Sequence, residues 1–311
     1  MTAPRTAETD QLRGVALMIA TMAVFSVQDG LTRYLAEHYQ PIFIVMVRYW
    51  AFALFVLSLS AARPGGIRGA ARTVRPMVQM FRGLMLAFQI CIVTYSFWRL
   101  GLAETHAIMA VNPMLVAILG AVFLGERVTI AQWAVIALGF AGVLVLLAPS
   151  AGVIDPFAAV PLLCALMFAA YQILTRWVGR SDKPATSFFY TGIGGAIGMT
   201  AIGPFFAEPM AMEHWAFMAA LCVTGATGHF LLIKAYEAAE AASLQPFAYL
   251  QLAATSAIGV FVFGETLTLK FFGGTALIVV AGLLALQFNQ RRRATPSPRA
   301  PASDEEEQSI R

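Results

Sequence analysis

The chain has 311 residues, 59% of them hydrophobic and only 12% charged, with a mean hydropathy of +0.72 and a formal net charge of +4. A soluble domain of this size carries about 25% charged residues, so the composition argues against a water-soluble enzyme and points to a polytopic membrane protein whose surroundings are the lipid bilayer. The small net charge gives no reason to expect a nucleic-acid partner.

The chain opens with a polar segment, 1–12, in which Glu8 and Asp10 precede the first apolar run. No small-residue cleavage site follows a short apolar core, so the first apolar segment is expected to be retained as a cytoplasmically anchored helix. Ten spans follow, over 12–36, 41–62, 77–98, 102–124, 129–148, 157–177, 185–207, 214–233, 241–263 and 267–288. Each reaches or approaches the roughly 20 residues a helix needs to cross the hydrocarbon core. Connections are short, and no soluble domain is inserted. Cys91, Cys164 and Cys222 all lie within apolar segments, as small buried hydrophobes rather than disulfide or metal partners. The tail 289–311 is rich in Pro, Ala and Ser, ends in an acidic run, and reads as a disordered cytoplasmic segment.

Lysine and arginine set the expected orientation. Arg63, Arg68, Arg72, Arg75, Arg127, Arg176, Arg180, Lys183, Lys234 and Arg291 to Arg293 fall on one side if the spans alternate from an inside N-terminus. Both termini are therefore expected in the cytoplasm, with the protein in a cytoplasmic (inner) membrane.

The strongest internal signal is a duplication. LGERVT at 124–129 is echoed by FGETLT at 263–268. Phe25 through Arg33 matches Phe168 through Arg176, Pro41 matches Pro184, and Asn112 matches Gln251. Each half, 13–148 and 156–288, holds five expected spans. An odd number inverts the second half relative to the first. The predicted fold is thus an all-α polytopic membrane protein of ten helices in two inverted five-helix repeats. That architecture is used by secondary transporters, which hold substrate near the midplane between the halves.

Polar residues inside spans need a partner, a cavity or a route to the interface. Asp29 and Arg48 lie at one expected depth on successive spans, as a structural ion pair or as a cavity-lining pair; their repeat counterparts are Gln172 and Thr191, so the pair is not duplicated. Gln89, Asn112 and Gln251 converge near mid-depth, lining a cavity or making interhelical hydrogen bonds. His229 is either a packing residue or a proton carrier, since an imidazole suits proton coupling. Arg82, about five residues into its span, is expected to snorkel to the cytoplasm. Tyr171, Tyr190 and Tyr249, with Tyr95, are candidates for aromatic walls, whereas Trp98 reads as an interfacial anchor. Glu126 and Glu265 sit at equivalent span ends, where a carboxylate can cap the helix that follows. Gly194 and Gly198 have the spacing of small-residue helix packing; a dinucleotide fingerprint fails at Ile197.

The double LGE/FGE pattern, the run AASLQPFAYLQL ahead of Phe263 and the ten-span layout resemble the drug/metabolite transporter superfamily of EamA type. FSVQDGLTRYL and LQPFAYLQL are also similar to the branch of that family described as S-adenosylmethionine transporters. The resemblance implies a secondary transporter for a small organic metabolite, amino-acid-like or nucleoside-like, working by alternating access. Export is the expected direction, with S-adenosylmethionine-type import as the alternative. No cofactor, metal or catalytic residue is expected: no HExxH or GxSxG is present, and no His/Cys/carboxylate cluster has ligand spacing. A membrane-embedded enzyme is the rival from another class. Proton coupling and oligomeric state are left open by the residues.

Overall fold

The computed structural model describes residues 3–125, 129–147, 156–239 and 241–294, and among them the chain is helical with no strand. The helices are α1 (Ala3–Ala36), α2 (Pro41–Ala61), α3 (Gly66–Ala71), α4 (Pro76–Leu100), α5 (Leu102–Met109), α6 (Asn112–Leu124), α7 (Ile130–Leu147), α8 (Ala159–Gly179), α9 (Pro184–Ile202), α10 (His214–Ala238), α11 (Ala241–Phe263) and α12 (Leu269–Ala294). Proline opens α2, α4 and α9, where its missing N–H costs nothing and its fixed φ favours the first turn.

Several boundaries differ from expectation, among them α9, which ends at Ile202, and α10, which runs on to Ala238. The first helix begins at Ala3, well before the apolar run, because its polar residues continue the same helical turn pattern. The last helix continues through the three arginines to Ala294. The fourth expected span is broken. α5 ends at Met109, Ala110 and Val111 form a turn, and α6 restarts at Asn112 with Pro113 at its second position. Proline cannot supply the N–H that would continue the α5 ladder, so the chain reorganises there. Around the break the bonds shorten to three-residue turns, Ala110 N–H to Ala107 O and Val111 N–H to Ile108 O.

Among the described residues, six stretches are long and apolar enough to cross a membrane: Leu12–Ala36, Pro41–Ala61, Pro76–Leu100, Leu102–Leu124 taken across the break, Ala159–Gly179 and His214–Ala238. The apolar stretches of α7, α11 and α12 are shorter, at Trp133–Gly142, Leu250–Phe263 and Leu269–Ala281. Length and composition therefore support six of the ten expected spans.

The packing follows the duplication. α1 packs on α10 and α11, while α8 packs on α4 and on the α5–α6 pair. α4 packs on α9, and α2 on α10. Exchanging the helices of one half for those of the other converts each of these contacts into its mate. The α2–α9 and α7–α12 contacts map onto themselves.

Close approach of α4 and α9 depends on small residues. A Cβ at Gly194 would lie 3.0 Å from Met80 O and 3.3 Å from Gly83 Cα, the small-residue packing read from the sequence.

The helix ends group into two sets. At one end, Thr73 and Gln79 meet Asp182, and Arg75 lies 4.0 Å over the Trp177 ring. At the other, the α1–α2 turn meets the α9–α10 connection, where Gln40 N–H donates to Glu208 Oε1 and the Tyr39 hydroxyl lies 2.8 Å from His214 Nδ1.

Candidate functional site

A cavity opens between the halves, with about 1000 Å³ of empty space counted out to its mouth. Its walls come from α1, α2, α4, the α5–α6 break, α8, α10 and α11. The break in the fourth span faces it directly, through Met109, Ala110 and Asn112. Irregular backbone at this depth is tolerated where it lines a cavity rather than lipid.

Asp29 is the centre of one polar cluster. Gln251 Nε2 donates to Asp29 Oδ2 at 2.6 Å, and His106 Nε2 lies 3.0 Å from the same oxygen, without the alignment of a good hydrogen bond. A carboxylate buried this way needs such company, because an ionised oxygen without donors is costly in apolar surroundings. His106 is held against the ring of Phe97, with centroids 5.3 Å apart.

The repeat counterpart of that contact lies across the cavity. Gln172 occupies the position of Asp29, and Asn112 that of Gln251. Gln172 Nε2 donates to Asn112 Oδ1 at 2.9 Å, Asn112 Nδ2 donates to Ala165 O at 3.0 Å, and the Tyr236 hydroxyl donates to Gln172 Oε1. The same crossing of helices is therefore bridged twice, once by an acid and an amide and once by two amides.

The expected Asp29–Arg48 ion pair does not form. Asp29 turns to α5 and α11 instead, and contributes to the field at Arg48 without touching it. Equal depth on neighbouring helices did not decide which faces meet. Arg48 is 4% exposed, lines the cavity, and its Nη2 has no hydrogen-bond partner among the described residues. His229 lines the same space, with its Nδ1 likewise unpartnered and its ring edge-on to Phe25 at 5.2 Å. Gln89 also lines the cavity.

Arg82 corrects a second expectation. It does not reach the interface but is fully buried. Its Nε and Nη2 donate to Gln79 Oε1 at 3.2 and 3.0 Å, its Nη1 to Thr175 Oγ1 at 3.0 Å, and its Nη2 also to Ser187 O. The guanidinium lies 5.1 Å over the Tyr171 ring. Gln79 in turn donates to Asp182 Oδ2 at 2.8 Å and to Ser187 Oγ at 3.2 Å. Polar partners at the same level, supplied by α8 and α9, made snorkelling unnecessary.

The aromatic candidates do not line the cavity as a group. Tyr171 supplies the surface under Arg82, and the Tyr190 hydroxyl donates to Ala71 O at 2.9 Å, fastening α9 to α3. The side chain of Tyr249 lies outside the described residues, as does Glu126.

Glu265 does cap a helix, but not the one that follows it. Its Oε1 and Oε2 accept the N–H groups of Leu102 and Ala103 at 2.7 and 3.0 Å, capping α5 of the opposite half. The approach needs Gly101, whose φ of +87° suits glycine and where a Cβ would lie 2.6 Å from Glu265 Oε1.

The sequence reading missed His106 and Tyr236. The depth argument applied to Asp29 reaches His106 equally, as an ionisable residue a turn inside its span. Tyr236 gave no comparable signal.

Duplicated helices around a shared cavity, largely apolar with a few polar side chains in its wall, define a multi-pass membrane protein of two related halves. The model of the EamA-like transporter family matches residues 12–148 and again 157–287, and the chain belongs to that family. It is 25% identical to the S-adenosylmethionine uptake transporter of Rickettsia prowazekii (strain Madrid E), over 88% of this chain and 92% of that protein. It is 30% identical to the riboflavin transporter of Rhizobium johnstonii, over 80% of this chain and 83% of that one. It is 24% identical to the pseudopaline exporter of Pseudomonas aeruginosa, over 86% and 94%. A solved crystal structure resembles it with a TM-score of 0.66 at 18% identity, covering 92% of this chain and 99% of the other, a likeness of fold alone.

Proposed function

We propose that this protein is a secondary transporter that carries a small organic metabolite across the cytoplasmic membrane by alternating access. The chain crosses the membrane ten times as two inverted five-helix repeats, with both termini in the cytoplasm. The observation that carries the reading is the doubled crossing at the cavity, Asp29 with Gln251 and Gln172 with Asn112. Each bridge joins one half to the other, so movement of the halves past one another acts on the cavity itself. The Arg-rich α2–α4 segment and the Asp182 region share one end, as the lysine and arginine distribution requires if that end is cytoplasmic. Reporter fusions after Arg75 and after Arg293 should both read cytoplasmic; a periplasmic signal from either contradicts the topology.

For direction, relatives named for uptake support import and the pseudopaline exporter supports the export expected from the sequence, so both directions enter the test. The substrate is of their size class, a metabolite with an apolar or aromatic body and several polar groups. Proteoliposomes loaded with the purified chain test this with radiolabelled S-adenosylmethionine and riboflavin, with and without a pH gradient. Saturable uptake of either, competed by its unlabelled form, is the expected result, and dependence on the gradient would add proton coupling. Group transfer or hydrolysis without flux would favour a membrane enzyme.

A further inference from the structure

The cavity wall includes a buried arginine, Arg48, that makes no ion pair among the described residues. Arg48 projects from the middle of α2 across to α10, where its guanidinium lies over Gly225. A Cβ at that glycine would be 2.6 Å from Arg48 Nε and 3.1 Å from Cζ. Gly225 and His229 are one turn apart on α10, so they share a face of that helix. His229 therefore stands beside the guanidinium, and both side chains are 4% exposed and line the cavity.

Neither has its polar atoms satisfied. Arg48 Nη2 and His229 Nδ1 have no hydrogen-bond partner among the described residues. The acid nearest in the field, Asp29, directs Oδ2 to Gln251 and His106. The other buried arginine of this region, Arg82, is committed to Gln79, Thr175 and Ser187. A guanidinium left alone in apolar surroundings is costly, and an anion entering the cavity would remove that cost.

We propose that Arg48 and His229 form a receiving site for a carboxylate of the transported solute, at the α10 wall of the cavity. The inference rests on the transport reading of the same cavity and narrows its substrate class. A planar guanidinium matches a planar carboxylate through two parallel N–H donors, which an ammonium cannot do. His229 adds a third donor in the tautomer that protonates Nδ1. One guanidinium balances one negative charge. A phosphate dianion would call for a second uncommitted cation, and the described cavity lining offers none. Asp29 lines the same cavity. Gly225 is then a specificity-determining position, because a side chain there moves the guanidinium off its wall.

The test uses matched ligands on the purified full chain. 3-Phenylpropionate and L-phenylalanine are compared with 3-phenylpropionamide and L-phenylalaninamide by concentration-dependent thermal shift. The carboxylates should stabilise the protein saturably, with each amide at least about tenfold weaker, as expected for loss of a hydrogen-bonded charge pair. Arg48→Gln should abolish the preference, Arg48→Lys should weaken carboxylate binding, and Gly225→Ala should weaken it without removing a donor. The wild-type comparison carries the test even where Arg48→Gln does not yield monodisperse protein. Equal binding of acids and amides, binding of none of these ligands, or an undiminished preference in a folded Arg48→Gln protein overturns the proposal. Saturable flux of a neutral solute, unchanged by Arg48→Gln, would leave the transport reading standing and remove this one. Absence of any saturable flux would remove the transport reading instead.

Discussion

Arg48 and Arg82 lie on neighbouring elements of the same half, both deeply buried, and their surroundings could hardly differ more. Arg82 has acceptors on Gln79, Thr175 and the Ser187 carbonyl, an aromatic face beneath it, and an acid one residue further along the network at Asp182. Arg48 lines a cavity, has a glycine beneath it, and its Nη2 has no hydrogen-bond partner among the described residues. The first arrangement is complete without a ligand and joins α4 to α8 and α9. The second is complete only when something else enters. A buried charge is therefore not by itself a sign of function; the sign is a buried charge whose bonds the fold does not supply.

The largest expected effect separates the two directly. Arg82→Met should lower stability by about 1–3 kcal/mol, because it leaves Gln79 Oε1 without its donor in an apolar interior, while Thr175 Oγ1 and the Ser187 carbonyl keep their bonds to Tyr171 O and Thr191 Oγ1. Arg48→Gln should shift it by no more than about 1 kcal/mol, since no partner is stranded. Thermal unfolding in one detergent, followed by loss of monodisperse protein, measures both. Equal losses would erase the distinction.

A smaller effect is expected at the rim. Glu265 holds two N–H groups of α5, so Glu265→Ala should cost about 1–2 kcal/mol. Because α5 carries His106 toward Asp29, the same change should weaken ligand binding more than a substitution on an exposed helix face, as read by the thermal-shift midpoint. No change in either quantity would show that the cap is incidental.

Much of this was legible in the chain. The FGE echo and the offset between Asn112 and Gln251 reported a duplication, and packing expresses it as exchanged helix contacts because both copies bury the same faces. The charged loops reported which connections share an end. What periodic hydrophobicity could not report was facing. In a span apolar on all sides, depth is readable and azimuth is not, so Asp29 was matched with Arg48 when its partners are Gln251 and His106. The break at Ala110 and Val111 was signalled by Pro113, yet Pro246 in α11 leaves that helix continuous. Each proline removes a ladder N–H, but only at Ala110 and Val111 does the chain turn, so a proline in a span frees a carbonyl without fixing whether the helix breaks there. The destination of Glu265 was equally hidden, because its partners lie more than 160 residues away in sequence.

The central claim, that the uncommitted Arg48 receives the solute in a cavity shared by the halves, is tested most directly by counterflow in proteoliposomes. Vesicles carrying wild-type, Arg48→Gln or Arg48→Lys protein in equal folded amounts are preloaded with unlabelled L-phenylalanine, and entry of the labelled compound is followed beside that of labelled L-phenylalaninamide. The account predicts rapid, saturable exchange of the acid by the wild type, little of the amide, a reduced rate for Arg48→Lys and none for Arg48→Gln. Exchange of the acid by Arg48→Gln at the wild-type rate would contradict it.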